Sequence, residues 1–418
     1  MKRDYKIGFW NYKAVPEDPE EDVERWADIG FNLASSFEYN DTESDKQRIN
    51  TTLRVCEEKK IETILFDPRA RYTELKLKGE EIYKANIREI VKDFGSKRAF
   101  KFLFLGDEPK KEDLDVVAKA YEIVRKECSL IPFVNYFPKL EFEGYRGCTG
   151  FSVENFEMEM QEHFEKVRPE IVSYDCYTQL EEFNPTEGIR IYFENLIIFS
   201  RLAKKFNAEL WTSLLSVGHW QYKLPNEDDI RWQYSTAAAF GVTGMMWFYL
   251  YQWKLEDNYR GAPIDLYNEK TPCYEALRRQ TKIFKEYHAS YLENAVLTGT
   301  QMITDDNRVF MNITGDKQVQ INDRWQSFVS GMLRSSAETD YATENPVAVS
   351  LFGDDMRVLN PHSIPLIVSK WVKNGECIYT IANLSQKKSG KIHIQMKEKN
   401  HSLWFAPGQM WSININDI

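Results

Sequence analysis

At 418 residues the chain exceeds what one hydrophobic core usually serves, so two domains are expected. Its 43% hydrophobic and 28% charged residues are those of a globular protein. A net charge of −10, with no compensating cluster of Lys and Arg, argues against a nucleic-acid partner. No run approaches the ~20 apolar residues of a membrane-spanning helix. The N-terminus enters a strand with no apolar leader or small-residue cleavage site, so a cytoplasmic home is expected, or a secreted one if a signal peptide has been removed.

Strand-like and helix-like segments alternate up to about residue 291. The predicted strands are 5–12, 31–37, 61–67, 100–106, 130–137, 170–178, 208–216 and 243–250. Several are nearly continuous apolar runs, as parallel strands buried on both faces require. Helix starts are punctuated by Asp18-Pro19, by Ser44 to Gln47 and by Thr271-Pro272. In the fourth helix Leu114, Val117, Tyr121 and Val124 repeat at three and four, which makes one apolar stripe. Eight such units predict an α/β fold, a (β/α)8 TIM barrel over 1–291. No Gly-rich turn follows the first strand, which weakens the doubly wound alternative. Gly144, Gly147 and Gly150 lack the Lys of a phosphate loop and read as a flexible loop.

From 292 to 418 the segments shorten and alternate, with turns at Lys373-Asn374-Gly375 and Pro407-Gly408. That pattern predicts an antiparallel β-sandwich accessory domain, with a polar, irregular stretch at 314–345. A structural buttress is its expected role. The six cysteines have no paired spacing and read as free, mostly buried thiols. The six His form no ligand cluster, so neither a metal nor another cofactor is expected.

In a β/α barrel the reactive side chains stand at the C-terminal strand ends and in the loops beyond. Those ends are rich in carboxylates and flat rings. Candidate ligand-binding residues are Trp10, Glu38, Asp67, Arg69, Asn135, Tyr136, Tyr177, His219 and Trp220. Strand 8 and its loop add Trp247, Tyr249, Tyr251 and Trp253, whose alternation places all four on one face. Aromatic faces suit the apolar faces of sugar rings, and carboxylates and amides suit their hydroxyls, so a carbohydrate partner is expected. The number of subunits is left open, a homo-oligomer included.

Gly106-Asp107-Glu108-Pro109 is the most informative tetrapeptide, an apolar strand that stops at two adjacent acids. Glycoside hydrolysis needs one carboxylic acid to protonate the leaving oxygen and a second group at the oxocarbenium-like centre. The competing reading is that Asp107 and Glu108 cap the fourth helix, where acids are stabilising.

With this tetrapeptide, Phe133 to Pro138 at strand 5, Ser173 to Tyr177 at strand 6 and the run from Arg231 to Gly241, residues 1–291 resemble the clan A glycoside hydrolases. They are similar to uncharacterised relatives of the family 42 β-galactosidases. The resemblance implies a glycosidase with Glu108 as general acid/base. It also implies a nucleophilic glutamate at the end of strand 7, and this chain departs there: the strand reads Leu210 to Ser216, with Glu209 at the wrong end. Three substitutes present themselves. Asp175 at strand 6 is preferred as the second carboxylate. Alternatively Asp107 orients a substrate acetamido group that acts as nucleophile, as in the similar N-acetylhexosaminidases and chitinases. Glu38 or Asp67 is the third option. The rival reading is a non-catalytic carbohydrate-binding barrel that has lost its nucleophile.

Overall fold

The computed structural model describes residues 5–13, 18–142, 144–177, 185–252, 258–313, 324–333 and 348–414. Eight parallel strands, β1 (Lys6–Phe9), β2 (Leu33–Ser35), β3 (Glu62–Leu65), β4 (Phe100–Asp107), β5 (Ile131–Tyr136), β6 (Ile171–Asp175), β7 (Glu209–Leu215) and β8 (Val242–Phe248), form one sheet. Its order is β1-β8-β7-β6-β5-β4-β3-β2, with helices between the strands.

The remaining seam, between β1 and β2, is bridged by Asn32. Its backbone N–H reaches Ile7 O at 3.1 Å, while its side chain accepts from Ile7 N and donates to Tyr5 O, both at 2.8 Å. Gly8 permits that approach, since a Cβ there would lie 2.5 Å from Leu33 O. The β/α barrel expected from the alternation is therefore present and nearly closed.

Period-two alternation fills both sides of this sheet. Phe102, Phe104, Phe133, Ile171, Trp211 and Met246 point inward, while Leu103, Val134, Val172 and Met245 meet the helices. Trp211 crosses the barrel interior over Gly244, where a Cβ would sit 2.1 Å from the indole. The predicted stripe of the fourth helix is buried on Leu114–Glu127. Asp18 caps the first helix as expected. The second begins on Thr42, whose hydroxyl accepts from Asp45 N at 3.0 Å, two residues before the expected signal. The glycine loop is not irregular: Gly144 and Gly150, both left-handed, bracket a short helix, Tyr145–Thr149.

The C-terminal antiparallel sandwich is also present. One sheet joins β10 (Val309–Ile313), β9 (Val296–Ile303), β13 (Leu366–Lys373), β14 (Glu376–Asn383) and β17 (Met410–Asn414). The other joins β11 (Val349–Leu351), β12 (Met356–Leu359), β15 (Gly390–Met396) and β16 (Lys399–Phe405). Arg324–Leu333, expected to be irregular, is a helix; most of 314–345 lies outside the described residues.

The sandwich packs on the barrel helix Glu227–Ala239. Trp232 Nε1 donates to Leu384 O at 2.8 Å and Ser235 Oγ to Gly408 O at 2.6 Å. Thr300 and Ser369 hydroxyls both donate to Ala239 O. The cysteines are free; Cys56, Cys176 and Cys273 are buried as expected, whereas Cys148 is exposed.

Replacing Gly244 by Ala drives a methyl into Trp211. Overpacking of this kind costs about 1–3 kcal/mol, so the urea midpoint of unfolding is expected to fall. A midpoint equal to that of the parent contradicts the packing described.

Candidate active site

The barrel alternation carries one deliberate-looking fault. In the β4–β5 ladder Phe104 pairs with Phe133, but Gly106 pairs with Val134, so Leu105 is an extra, bulged residue. The phase shift turns Asp107 onto the inward face, opposite Asn135. Without it, strict alternation would send Asp107 toward the helices. Gly106 lies against the Tyr72 ring, which a Cβ would strike at 2.5 Å.

Asn135 in turn aligns with Ser173, and Asp175 with Ser213, so the inward residues form one polar tier above the aromatic core. The Asn135 amide donates one hydrogen to Asp107 Oδ1 at 3.0 Å and the other to Asp175 Oδ1 at 2.9 Å. Its own oxygen accepts from Ser173 Oγ at 2.9 Å, which leaves the amide a single orientation. The two aspartate oxygens are thereby held within about 6 Å, the reach of two such bonds.

Glu108 follows as the first residue past the strand. Its N–H still joins the ladder, to Asn135 O at 2.8 Å, but its φ is +43°. A left-handed residue with a Cβ costs roughly 1–2 kcal/mol, and this one also precedes a proline, which disfavours helical conformations. Backbone strain of this sort collects at functional sites. The capping alternative does not hold, because the helix begins at Leu114, well past Glu108.

Burial raises all three carboxyls, and repulsion from neighbouring acids adds to it at Glu108 and Asp175. Burial, then Asp175 and Asp107, push Glu108 up to about 9. Burial and the Asp107 charge raise Asp175, against the Asn135 bond. Asp107 reaches solvent through the mouth yet is still raised by the protein around it, opposed by Asn135 and the charge of Arg71. Glu108, raised further than Asp175, is therefore the group that keeps its proton most firmly at neutral pH.

Glu108 and Asp175 open into a cavity of about 300 Å³, at the low end for ligand pockets. Its walls are mostly rings: Tyr12, Tyr177, His219, Trp220, Tyr222, Phe248 and Tyr259. His219 is stacked on Tyr259 at 5.1 Å, and burial lowers its pKa to about 4, so it is a neutral hydrogen-bonding group. Trp220 is 56% exposed and, like Glu108, left-handed. Trp10 lies beneath, its Nε1 donating to Ser213 Oγ at 2.8 Å. A second cavity of about 340 Å³ adjoins, lined by Glu38, Arg71, Tyr72 and Thr73 and sharing Trp10, Tyr12 and Asp107 with the first.

The structure thus brings together Trp10, Glu38, Asp107, Glu108, Asn135, Asp175, Tyr177, His219 and Trp220. It separates the others. Asp67 caps the short helix Pro68–Ala70 and pairs with Arg69 at 2.8 Å, and Arg69 also holds Asp93. This is an internal ion-pair network outside both cavities. Tyr136 alternates away from Asn135 and bonds His163 in the helix layer at 3.0 Å.

The expected common face on strand 8 is not formed. Trp247 points outward to Tyr234, and Tyr249 packs among the inner apolar residues without lining either cavity. Tyr251, past the end of β8, bonds Trp26 and Asp22. Strand periodicity stops at Phe248, which lines the cavity instead; Trp253 lies outside the described residues.

Tyr12 and Ser213, which lie at strand ends, also line the cavity. Tyr222, Tyr259 and Arg71 sit in loops where no periodicity marks direction. The Gly218–Arg260 bridge, with N···O distances of 3.0 and 2.8 Å, ties together the loops that carry Tyr222 and Tyr259. Strand 7 offers no carboxylate at the mouth: Glu209 begins the strand and accepts from Trp211 Nε1, and the inward residues at the other end are Ser213 and the apolar Leu215. Among the described residues no group of three or more His, Cys, Asp or Glu is arranged to hold a metal, and no helix is long and apolar enough to cross a membrane.

No family model matches the chain, and no curated protein matches it in sequence. Solved structures do. A β-galactosidase from the psychrophilic Marinomonas ef1 is 11% identical over 67% of this chain and 59% of its own, with a TM-score of 0.50. A β-galactosidase from the haloarchaeon Halorubrum lacusprofundi is 10% identical over 67% and 58%, at 0.51. The endo-β-1,4-mannanase from Thermotoga petrophila is 12% identical over 97% of both chains, at 0.50. The chain therefore spans less than two thirds of either galactosidase. The likeness is one of fold: an eight-stranded β/α barrel of the kind these glycosidases have, which is the fold the strand motifs led us to expect.

A raised folded-state pKa has a stability consequence. The folded protein keeps the Glu108 proton where the unfolded chain, with the ordinary value of 4.5, has lost it. That contribution is present below 4.5 and is lost as pH rises toward 9. Glu108→Gln is expected to melt near the parent temperature at pH 4 and progressively above it up to pH 9. A difference that stays flat with pH, or a less stable variant at pH 8, contradicts the burial and repulsion assigned to this carboxyl.

Proposed function

We propose that the protein is a glycoside hydrolase cleaving an oligo- or polysaccharide, with Glu108 as general acid/base and Asp175 as its partner carboxylate. The observation that carries the reading is the convergence of Glu108, Asp107 and Asp175 on one ring-walled cavity, with Asn135 bonded to both aspartates. The fold of known glycosidases supports it without identifying a sugar.

The protonation states suit the roles. A general acid must hold its proton at working pH, and Glu108, raised by burial and two neighbouring acids, does so. Asp175 ionises at lower pH than Glu108 and accepts a hydrogen bond that favours its charged form. It would face the anomeric centre as charge develops there, either directly or through a water. Of the other substitutes, Asp67 is consumed by Arg69 and Glu38 is bonded to Arg71 in the adjoining chamber. Asp107, held beside Asp175 by the same amide, orients that pair and in the substrate-assisted variant would receive an acetamido N–H.

Leu215 and Ser213, in place of a strand 7 acid, favour a second reading: a barrel that binds glycans without cutting them. Kinetics separate the two. On a panel of aryl glycosides, Glu108→Gln is expected to lower kcat/KM by about 10²–10⁴-fold, with Asp175→Asn acting in the same direction. The parent profile is expected to be a bell: activity rises as the aspartate pair loses a proton and falls as Glu108 deprotonates. Turnover that survives Glu108→Gln, or a profile flat from pH 4 to 9, removes the assignment. A parent that binds oligosaccharides and never cleaves them supports the binding barrel.

A further inference from the structure

The two adjoining cavities are chemically unlike. The first contains Glu108, Asp175 and most of the rings; the second contains neither of those acids and is floored by Trp10, Phe66 and Phe104. Asp107 and Tyr12 stand between them, shared by both. Among the described residues lining the two cavities, Arg71 is the sole Lys or Arg, against the carboxyls of Glu38, Asp107, Glu108 and Asp175. Arg71 is bonded to Glu38, and the side chains of the pair are 41% and 48% exposed, within reach of a solute in the chamber.

We infer that the second chamber is a subsite for the neighbouring ring of an uncharged oligosaccharide, and that the Arg71–Glu38 pair decides which ring it accepts. This rests on the reading of the cleft as sugar-binding, and goes beyond it by naming the charge and minimum length of the ligand.

Each sugar hydroxyl is at once a donor and an acceptor. A guanidinium fork bonded to a carboxylate offers donors and acceptors side by side at a fixed spacing, so adjacent hydroxyls bridge the pair without breaking it. A ring carrying a carboxylate or sulfate meets a different site. It would have to draw Arg71 away from Glu38 and leave that acid unpaired beside Asp107, in a cleft that holds four carboxyls. Both cavities, at about 300 and 340 Å³, lie at the small end for ligand pockets, which suits one ring each and disfavours a lone sugar filling the whole cleft. Tyr72, seated on Gly106, fixes the wall nearest Asp107.

The test is calorimetric binding to the Glu108→Gln protein, which requires no turnover and so is separate from whether the parent cleaves anything. The probes are cellobiose, mannobiose, lactose and chitobiose, the corresponding monosaccharides, and cellobiuronic acid. At least one neutral disaccharide is expected to bind tenfold or more tighter than its monosaccharides and than the uronic acid. Adding Arg71→Ala is expected to erase the disaccharide advantage and leave monosaccharide affinity where it was. Glu38→Gln, which keeps shape and alters one hydrogen-bonding atom, is expected to reduce it in the same selective way and serves if the Arg71 variant fails to fold. Equal affinity for one ring and two, preference for the uronic acid, a loss shared equally by both ligand lengths, or no binding by any probe overturns the inference. Binding with this pattern by a protein whose parent never cleaves would retain the subsite and discard the hydrolase.

Discussion

Asp107 and Asp175 stand on β4 and β6, with only β5 between them, and the Asn135 amide is what holds them together. Two ionised carboxylates with oxygens about 6 Å apart repel by roughly 3 kcal/mol at an effective dielectric of ~20. Hydrogen bonds to charged groups contribute about 1.5–3 kcal/mol each, so an amide that donates to both offsets the repulsion and fixes the spacing. Ser173 supplies the remaining constraint by occupying the amide oxygen. A carboxamide that turned over would present its oxygen to two acids. The two acids make that orientation costly, while the serine hydroxyl, which can donate or accept, completes the network on the oxygen side.

The clamp works only because the backbone delivers its members to one level. Register between β5 and β6 sets Asn135 beside Ser173, and the bulge at Leu105 brings Asp107 into phase with them. Beneath the tier, Phe104, Phe133 and Trp211 pack the interior at ring separations of 5.5–6.1 Å. That apolar floor contributes twice. It makes the carboxyls poorly solvated, which raises them, and it leaves the strand ends little freedom to splay. A further brace comes from outside the barrel. Gln233 clamps both the N–H and the carbonyl of Leu215 at 2.6 and 3.0 Å, and its helix is the one on which the sandwich is seated. The sandwich is thereby connected to the rim through this helix.

The barrel was legible because its signal is repeated: eight apolar runs, each followed by an amphipathic segment, leave few other architectures. The acid pair on β4 was legible because an apolar strand ending in two charges is rare without a use for them. The direction of side chains past a strand end was not. Trp247, Tyr249 and Tyr251 share a parity in sequence, yet they point to the helix layer, the inner core and the Asp22–Trp26 pair respectively, because period two ceases with the strand at Phe248. Asp67 and Arg69 resembled rim residues, and only their placement reveals that each neutralises the other. Tyr222 and Tyr259 come from loops whose course depends on the Gly218–Arg260 bridge, a contact between segments about forty residues apart. A bulge of one residue likewise leaves no compositional trace, although it decides which way Asp107 faces.

The silence of strand 7 shapes the mouth as a whole. Were a carboxylate to project from β7, acids would ring the opening and the charge would be spread. Instead the acids of the first cavity are confined to an arc over β4, β5 and β6, with Glu38 paired to Arg71 in the adjoining chamber. The opposite arc, from the loops after β7 and β8 round to Tyr12 after β1, is built of His219, Tyr222, Phe248 and Tyr259. A pyranose has the same division, with hydroxyls around its edge and patches of C–H on its faces. Set between these arcs, a ring can stack on one and bond to the other without turning. Concentrating the acids also explains why Glu108 is the group that retains its proton most firmly. It is less solvated than it would be at an open rim, and two acids of its own arc oppose its ionisation. An acid added at β7 would add repulsion of its own and, in place of Leu215, would put a carboxyl among the buried inner apolar residues.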